Sequence, residues 1–298
     1  MLRKRIFMAV LPAFFVWGCS QKNKSMEKLE KEIESRLAIA NAHFGIAFKN
    51  LQTGDSVFIN AKQSFHAAST MKTPVLAELF KQAAIGRFSM DDTITIRNSF
   101  KSIVDSSDFS LDPSDDSELE LYKRLGEKET IAKLAYEMII RSSNLATNML
   151  IGLAGPDNIM ESLKAIGAND MKVLRGVEDN KAFQKGLNNS TTAYDLALLF
   201  EQMAEEKLVS VEASQAMIRI LLDQQFNEII PARLPGDVKV AHKTGSISGV
   251  QHDSGIVYLP DGRKYVLVLL SRFDPVDEKK VIAAMAEVSR LIYDHVMR

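Results

Sequence analysis

The chain has 298 residues, 46% of them hydrophobic and 25% charged, which is enough material for one large core or two packed lobes. Its formal net charge of −1 gives no electrostatic reason to expect nucleic acid as a partner. Cys19 is the sole cysteine, so an intrachain disulfide is excluded in any compartment.

The N-terminus has the pattern of a secretion signal. A basic segment, 3–5, precedes an apolar run, 6–18, that is too short to span a bilayer comfortably. The run ends in Val16-Trp17-Gly18-Cys19-Ser20, which resembles the lipobox of bacterial lipoproteins. The resemblance implies that residues 1–18 are a signal peptide and that a lipidated Cys19 anchors the protein on the periplasmic side of the cell envelope. The alternative is an ordinary cleaved signal or an uncleaved anchor, with Cys19 incidental.

Residues 19–28 are polar and predict a tether, after which the hydrophobic period becomes helical. Apolar residues at spacings of three and four predict an amphipathic helix with one buried stripe, formed by Met26, Leu29, Ile33 and Leu37. The period then changes to two. Segments 44–48 and 56–60 flank a glycine-containing stretch and predict a β-hairpin.

Ser69 and Lys72 place a hydroxyl and an amine three residues apart at a predicted helix start. Apolar residues from Val75 to Phe80 have helical spacing, so Lys72 lies about one turn beyond Ser69 on the same face. A lysine whose pKa is lowered can take the proton of a serine, and a helix N-terminus can stabilise an oxyanion. S-x-x-K alone is weak, since residues 25–28 match it too; the alternative is a capping serine and a solvated lysine.

The middle of the chain is predicted to be helical after a polar excursion. Residues 97–128 carry an acidic cluster, which we interpret as a solvated surface loop without chemistry. Helices are predicted over 129–153, over 191–208 with Thr191 or Thr192 as the cap, and over 211–222.

Strand patterns return after Pro235. Segments 238–242, 255–259 and 265–270 predict strands, and a helix over 279–296 closes the chain. Strands at both ends with helices between them predict an α+β fold, in which an antiparallel sheet built from both termini is flanked by helices and carries an inserted all-α lobe.

Two more motifs follow Ser69 along the chain. Ser142-Ser143-Asn144 lies between helical segments, where a second serine can pass on a proton and an asparagine amide can bind a substrate amide. Lys243-Thr244-Gly245-Ser246 ends a predicted strand. There the lysine supplies positive charge, the threonine can bind a carboxylate, and Gly245 lets a ligand lie close to the strand. Each motif alone is more simply a cap or a turn.

Together, in this order, the three motifs resemble the active-site set of the class A β-lactamases and the related penicillin-binding proteins. The resemblance runs from about Ile33 to the C-terminus and includes Arg175-Gly176-Val177-Glu178-Asp179 at the position of the Ω-loop. It implies a β-lactamase-like catalytic domain over 29–298, with an α/β lobe of 29–68 and 212–298 and a helical lobe of 69–211.

The resemblance also implies roles for individual residues and no metal or organic cofactor. The implied nucleophile is Ser69, and Lys72 is its partner in proton transfer. The remaining roles are proton relay to the lactam nitrogen by Ser142, amide binding by Asn144, carboxylate binding by Lys243 and Thr244, an oxyanion hole from the backbone N–H groups of Ser69 and Ser246, and activation of the deacylating water by Glu178.

Three positions depart from the family pattern. Ser143 replaces the usual aspartate, so its supporting network must differ. Ala182 stands where an asparagine usually shares the deacylating water, which puts turnover in question. The arginine that usually supports carboxylate binding has no clear match: Gly255-Ile256 would align Ser254 with it, and Arg272 is a spatial alternative.

These features favour a serine β-lactamase acting on small-molecule β-lactams, and we expect a monomer that meets the membrane only through its lipid anchor. The alternative is a penicillin-binding-protein-like D-alanyl-D-alanine peptidase, or another serine hydrolase, with slow deacylation. A lipoprotein that keeps the fold only for binding is disfavoured because the nucleophile, the amine and K-T-G are all intact.

Overall fold

The structure is a computed structural model that describes the backbone of residues 15–298 and the side chains from residue 24 onward. The predicted signal peptide, 1–18, falls mostly outside these residues, and so does the side chain of Cys19. Within 15–298, no helix is both long enough and apolar enough to cross a bilayer.

Within residues 15–298, α-helices and β-strands are interspersed along the chain. The α-helices are α1 Phe15–Leu37, α2 Lys72–Ala84, α3 Ile131–Ile140, α4 Asn144–Ala154, α5 Pro156–Ala165, α6 Asn180–Gln184, α7 Ala193–Ala204, α8 Val211–Leu222 and α9 Glu278–Val296. The strands are β1 Ala42–Asn50, β2 Ser56–Ile59, β3 Phe65–His66, β4 Thr93–Thr95, β5 Phe100–Lys101, β6 Asp108–Phe109, β7 Lys128–Thr130, β8 Ser190–Thr191, β9 Lys239–Ile247, β10 Val250–Tyr258 and β11 Lys264–Phe273.

Five strands form one antiparallel sheet in the order β2-β1-β11-β10-β9. Strands β1 and β2 come from the N-terminal part of the chain, and β9 to β11 come from the C-terminal part. Helices α2 to α8 lie between them in sequence. The α+β prediction, with a sheet assembled from both ends of the chain, is confirmed. β9 is an edge strand of this sheet, so one side of β9 has no neighbouring strand and is free to face the segment between β2 and β9.

The two faces of the sheet bury separate sets of alternating side chains. Ile46 and Leu267 belong to the cluster that also contains apolar residues of α1 and α9. Ala47 and Val266, one position further along or back, belong to the cluster formed with helices such as α2, α4 and α7. Because successive side chains of a strand point to opposite faces, a sheet covered by helices on both faces needs apolar residues at consecutive positions.

The structure corrects two local predictions and adds one helix that was not predicted. α1 begins at Phe15 rather than near Met26, so the segment predicted as a tether is helical. The helix predicted over 129–153 is two helices, α3 and α4, because the backbone at Ser142 takes a left-handed conformation with φ 57°. α5 was not predicted, although Pro156 stands at its first position after Gly155, a usual helix start.

Candidate active site

Ser69 lies in a 3₁₀ turn, Ala68–Met71, that leads directly into α2 at Lys72. The preceding Ala68 has φ 44°, a left-handed conformation that is unusual for a residue with a side chain and concentrates at functional sites. The edge strand β9 packs against this turn. A Cβ atom at Gly245 would lie 3.1 Å from the backbone nitrogen of Ser69, a tight contact, so this approach favours a glycine.

Lys72 is fully buried directly after the turn that carries Ser69. Its Nζ donates to the carbonyl oxygen of Ser142 at 2.5 Å, to the Oγ of Ser142 at 3.1 Å and to the Oδ1 of Asn144 at 2.9 Å. Burial lowers the pKa of Lys72 to about 7, and the negative charges of Asp116 and Glu178 oppose this shift. A lysine with this pKa is partly neutral at physiological pH and can accept a proton.

Lys243 is also fully buried, and its side chain reaches Ser142 from β9. Its Nζ donates to the Oγ of Ser142 at 3.1 Å and to the backbone oxygen of Thr244 at 2.9 Å. Burial, followed by the charge of Lys72, lowers the pKa of Lys243, while Asp253 opposes the shift. The Ser142 oxygen accepts from both lysines, so its own proton is not used in either hydrogen bond.

Ser143 has a structural role in place of the aspartate usual at its position. Its side chain is fully buried, and its Oγ accepts a hydrogen bond from the backbone of Ala146 at 3.2 Å, which makes it the N-cap of α4. The hydroxyl therefore fixes the start of the helix that carries Asn144.

Glu178 lies across the site from the lysines, half-buried, with a left-handed backbone at φ 60°. Its Oε1 accepts from the side-chain amide of Asn144 at 3.3 Å, and its Oε2 accepts from the backbone N–H of Asp112 at 3.2 Å. Burial raises the pKa of Glu178, a shift that the Asp112 hydrogen bond opposes and the charge of Asp115 assists. A carboxylate of raised pKa can act as a general base on a water molecule.

Asn148 secures the loop in front of Glu178. Its Oδ1 accepts from the backbone N–H of Val177 at 2.6 Å, and its Nδ2 donates to the oxygen of the same residue at 3.0 Å. Arg175 holds the loop from the other side by donating to the backbone oxygens of Leu187 and Gly176, both at 2.9 Å. Sequence reasoning assigned no role to Asn148; its position one turn of helix after Asn144 was the available signal.

The acidic excursion contributes directly to this site, so the prediction of a solvated loop without chemistry is wrong for residues 112–118. Besides the bond from Asp112 to Glu178, the backbone oxygen of Asp115 accepts from the Nδ2 of Asn144 at 3.3 Å. Asp179 also binds the excursion, accepting from the hydroxyl of Ser102 and the backbone of Ile103 at 2.9 Å each.

Neither residue considered for the missing arginine can take its place. Ser254 is fully buried on β10, and its hydroxyl donates to the backbone oxygen of Lys243 at 3.2 Å. Arg272 is exposed near the end of β11 and does not line the cavity. Gln251 lies closer: its Nε2 donates to the Oγ of Ser246 at 2.8 Å and to a carboxylate oxygen of Glu278 at 2.6 Å.

A cavity of about 810 Å³ brings most of the predicted residues together. Ser69, Ser142, Asn144, Glu178, Thr244 and Ser246 line it. Lys72 and Lys243 lie buried behind Ser142, and Gly245 forms the contact with the Ser69 turn. Part of the wall is apolar, with side chains of Phe183, Phe226 and Ile247. Among residues 24–298, no group of three or more His, Cys, Asp and Glu side chains could hold a metal ion.

Ala182, the remaining departure, is fully buried in α6 and presents no polar group. It therefore cannot bind a water molecule through its side chain, and Glu178 lacks that second partner.

Comparison with known proteins gives one family and several relatives. A family model described as the β-lactamase enzyme family matches residues 28–296. The chain is 24% identical over 300 residues to β-lactamase VEB-1 of Pseudomonas aeruginosa, covering 96% of both chains. It is 25% identical to a β-lactamase of Bacteroides uniformis, covering 98% of this chain and 99% of that one. A solved structure of a PBP-A mutant, an acyl-enzyme complex with penicillin G, aligns with a TM-score of 0.77 at 27% identity over 91% of this chain and 97% of the other.

Proposed function

The chain belongs to the β-lactamase enzyme family, and we propose that it hydrolyses β-lactams through an acyl-enzyme on Ser69. The observation that supports this most strongly is the buried Lys72, which follows the Ser69 turn and has a pKa lowered to about 7. A buried amine of this kind serves as the base that a serine nucleophile needs.

In the acylation step, the Ser69 Oγ attacks the lactam carbonyl and its proton passes to neutral Lys72. The carbonyl oxygen becomes an oxyanion, which the backbone N–H groups of Ser69 and Ser246 would stabilise. Gly245 lies against the Ser69 turn, and this close packing brings β9 beside the nucleophile.

Ser142 would carry the proton from Lys72 to the lactam nitrogen as the carbon–nitrogen bond breaks. The supporting geometry is its Oγ, which lies 3.1 Å from the Nζ of Lys72 and 3.1 Å from the Nζ of Lys243. Because both lysines donate to this oxygen, the hydroxyl proton of Ser142 is available to the leaving nitrogen, and Lys72 can replace it.

Substrate binding would use three groups around the cavity. Lys243 and the Thr244 hydroxyl would hold the substrate carboxylate with charge and a hydrogen bond; Thr244 lines the cavity and Lys243 lies buried next to it in the chain. The amide of Asn144 would bind the substrate's side-chain amide, a role that requires its Nδ2 to leave Glu178, to which it donates at 3.3 Å. No cofactor enters any of these steps.

Deacylation would use Glu178 to activate a water that attacks the ester carbonyl, which returns Ser69 to its free form. The raised pKa of the Glu178 carboxylate fits a general base. Because Ala182 supplies no hydrogen bond to that water, this step is expected to limit turnover.

The second candidate, a penicillin-binding-protein-like D-alanyl-D-alanine peptidase or other hydrolase with slow deacylation, is favoured by one observation. Ala182 leaves Glu178 without the polar partner usual in the β-lactamases, and PBP-A is among the similar solved structures. The two candidates share the acylation step and differ in the lifetime of the acyl-enzyme.

Turnover of nitrocefin by the wild type, Ser69→Ala and Glu178→Gln tests the proposal. We expect hydrolysis by the wild type, no mass adduct with penicillin in Ser69→Ala, and a persistent adduct in Glu178→Gln. A wild-type adduct that also persists indefinitely favours the peptidase, and the lack of any adduct on Ser69 removes both candidates.

We also propose the cellular location that the N-terminus predicts. The signal peptide is cleaved before Cys19, the Cys19 thiol is lipidated, and the protein is anchored as a monomer on the periplasmic side of the envelope. The support is the lipobox-like segment 16–20. Labelled palmitate incorporated by the wild type and lost in Cys19→Ala is the expected result. Equal labelling of both proteins, or labelling of neither, contradicts it.

A further inference from the structure

We propose that Asp116 is a positioning residue of this site: its carboxylate, supplied by the acidic excursion, fixes the backbone that carries Ser142 and Asn144. This inference rests on the proposed acylation of Ser69, because acylation is the step that those two residues serve. Asp116 itself does not line the cavity, so it would act through its neighbours.

The carboxylate binds the first turn of α4. Both of its oxygens accept from the backbone N–H of Asn144, at 3.0 and 2.9 Å, and Oδ2 also accepts from the N–H of Leu145 at 2.9 Å. Ser143 caps the third amide, that of Ala146. The first three N–H groups of the helix, which have no partner within the helix, are therefore satisfied, and a negative charge lies at its positive end.

The carboxylate is itself held rigidly, which a surface aspartate would not be. Asp116 is 9% exposed, its Oδ1 accepts from the backbone of Glu118 at 3.1 Å, and its Oδ2 accepts from the hydroxyl of Tyr122 at 2.9 Å. Burial raises the pKa of Tyr122, and the charge of Asp116 raises it further. The phenol of Tyr122 therefore stays protonated and donates its hydrogen bond. Because these donors fix the Asp116 carboxylate in place, it can hold the first turn of α4 in place in turn.

Asn144 transmits this position to the reacting groups. Its Oδ1 accepts from Lys72 and its Nδ2 donates to Glu178, so a shift of its backbone moves the amide that joins the two. Ser142, two residues earlier, lies in the left-handed turn immediately before the capped helix. Ser143 carries no carboxylate, so the carboxylate that binds this end of α4 comes from a different segment of the chain.

Asp116 also contributes charge to the site. The charged groups around Lys72 are Asp116 and Glu178, which favour its protonated form, and Lys243, which lies on the far side of Ser142. Of the two carboxylates, Asp116 has the larger effect. An uncharged cap would support α4 without influencing the pH at which Lys72 loses its proton.

The test measures the acylation rate by penicillin from pH 5 to 9 in the full chain, with Asp116→Asn, Asp116→Glu and Asp108→Asn. Asp108→Asn is the matched control, since it removes one negative charge from the same excursion at an exposed position paired with Lys101. In Asp116→Asn we expect acylation to fall roughly 10- to 100-fold, because one amide oxygen cannot accept all four of the donors that the two carboxylate oxygens bind, and the amide nitrogen accepts none. We also expect the acid limb of its pH–rate profile to move to lower pH. The pKa of Lys72 should decrease, because the lysine loses its main negative neighbour.

Asp116→Glu keeps the charge but displaces it, so its rate should fall while its acid limb stays with the wild type. Asp108→Asn should match the wild type in both. An Asp116→Asn protein, or an Asp116→Glu protein if the first does not fold, with the rate and pH limb of Asp108→Asn overturns the inference. Lack of acylation in the wild type would instead refute the proposed function.

Discussion

Replacing Gly176 by alanine is predicted to displace the loop that carries Glu178 while acylation of Ser69 continues. A Cβ atom at position 176 would lie 2.4 Å from the Oδ1 and 2.7 Å from the Cγ of Asn148, well inside van der Waals contact. The backbone of Gly176 is not in the left-handed region, and the three atoms nearest to the added Cβ all belong to this side chain.

The magnitude follows from what Asn148 must give up. To clear the new methyl group it has to move by about an ångström, which breaks its two hydrogen bonds to Val177. At ~0.5–1.5 kcal/mol each, their loss lowers the free energy of unfolding by about 1–3 kcal/mol, of which ~0.4–1 kcal/mol is offset because alanine restricts the unfolded chain. A similar displacement of Glu178 would slow deacylation roughly 100-fold.

Two measurements check this prediction: the thermal unfolding midpoint and the fraction of acyl-enzyme at steady state with penicillin, by intact mass. The control is Gly152→Ala in α4, where an added Cβ meets nothing within 4 Å; it should stabilise the helix by about 0.5–1 kcal/mol and leave turnover unchanged. In an Asn148→Ala background, Gly176→Ala should add little further destabilisation, since the hydrogen bonds are already gone.

A Gly176→Ala protein that melts and turns over like Gly152→Ala would refute the predicted clash. The prediction is also refuted if the effects of Gly176→Ala and Asn148→Ala add fully, because the clash would then not involve Asn148. Loss of acylation in Gly176→Ala would mean that the loop supports more than Glu178.

Two further predictions concern titration. Acylation should rise with pH through about 7, as Lys72 loses its proton. Lys72→Arg should remove this rise and reduce acylation by roughly 10²- to 10⁴-fold at pH 9, where the wild-type lysine is neutral and the guanidinium stays charged; an arginine variant acylated like the wild type would contradict a base at this position. Burial lowers the pKa of His252 from 6.5 to about 4, so between those values the unfolded chain binds more protons and the free energy of unfolding should decrease as pH falls from 6.5 to 4. His252→Gln should flatten that slope in denaturant titrations, and an unchanged slope would show that other groups cause it.

The fold was predictable because its elements are encoded locally. Strand β1, with Ile46 and Ala47 buried on opposite faces, and helix α7, capped by Thr192 through the N–H of Asp195, have signals within ten residues of sequence. The motif residues were predictable for the same reason: Ser69 and Lys72 lie within one turn. What sequence reasoning missed depends on contacts between distant segments. The bond from Asp116 to Asn144 spans 28 residues of sequence and that from Asn148 to Val177 spans 29, and no local pattern specifies either pairing.

The two buried lysines explain how substrate binding and base formation can be linked. Both donate to the Ser142 oxygen, and the charge of Lys72 lowers the pKa of Lys243. A substrate carboxylate at Lys243, as proposed, favours the charged form of Lys243. The neutral form of Lys72, which is the base for Ser69, exerts no like-charge repulsion on Lys243, so it is the form that goes with a charged Lys243 holding the carboxylate. A substrate without a carboxylate would lose that effect as well as the ion pair, so its acylation should be slower even when the cavity is saturated.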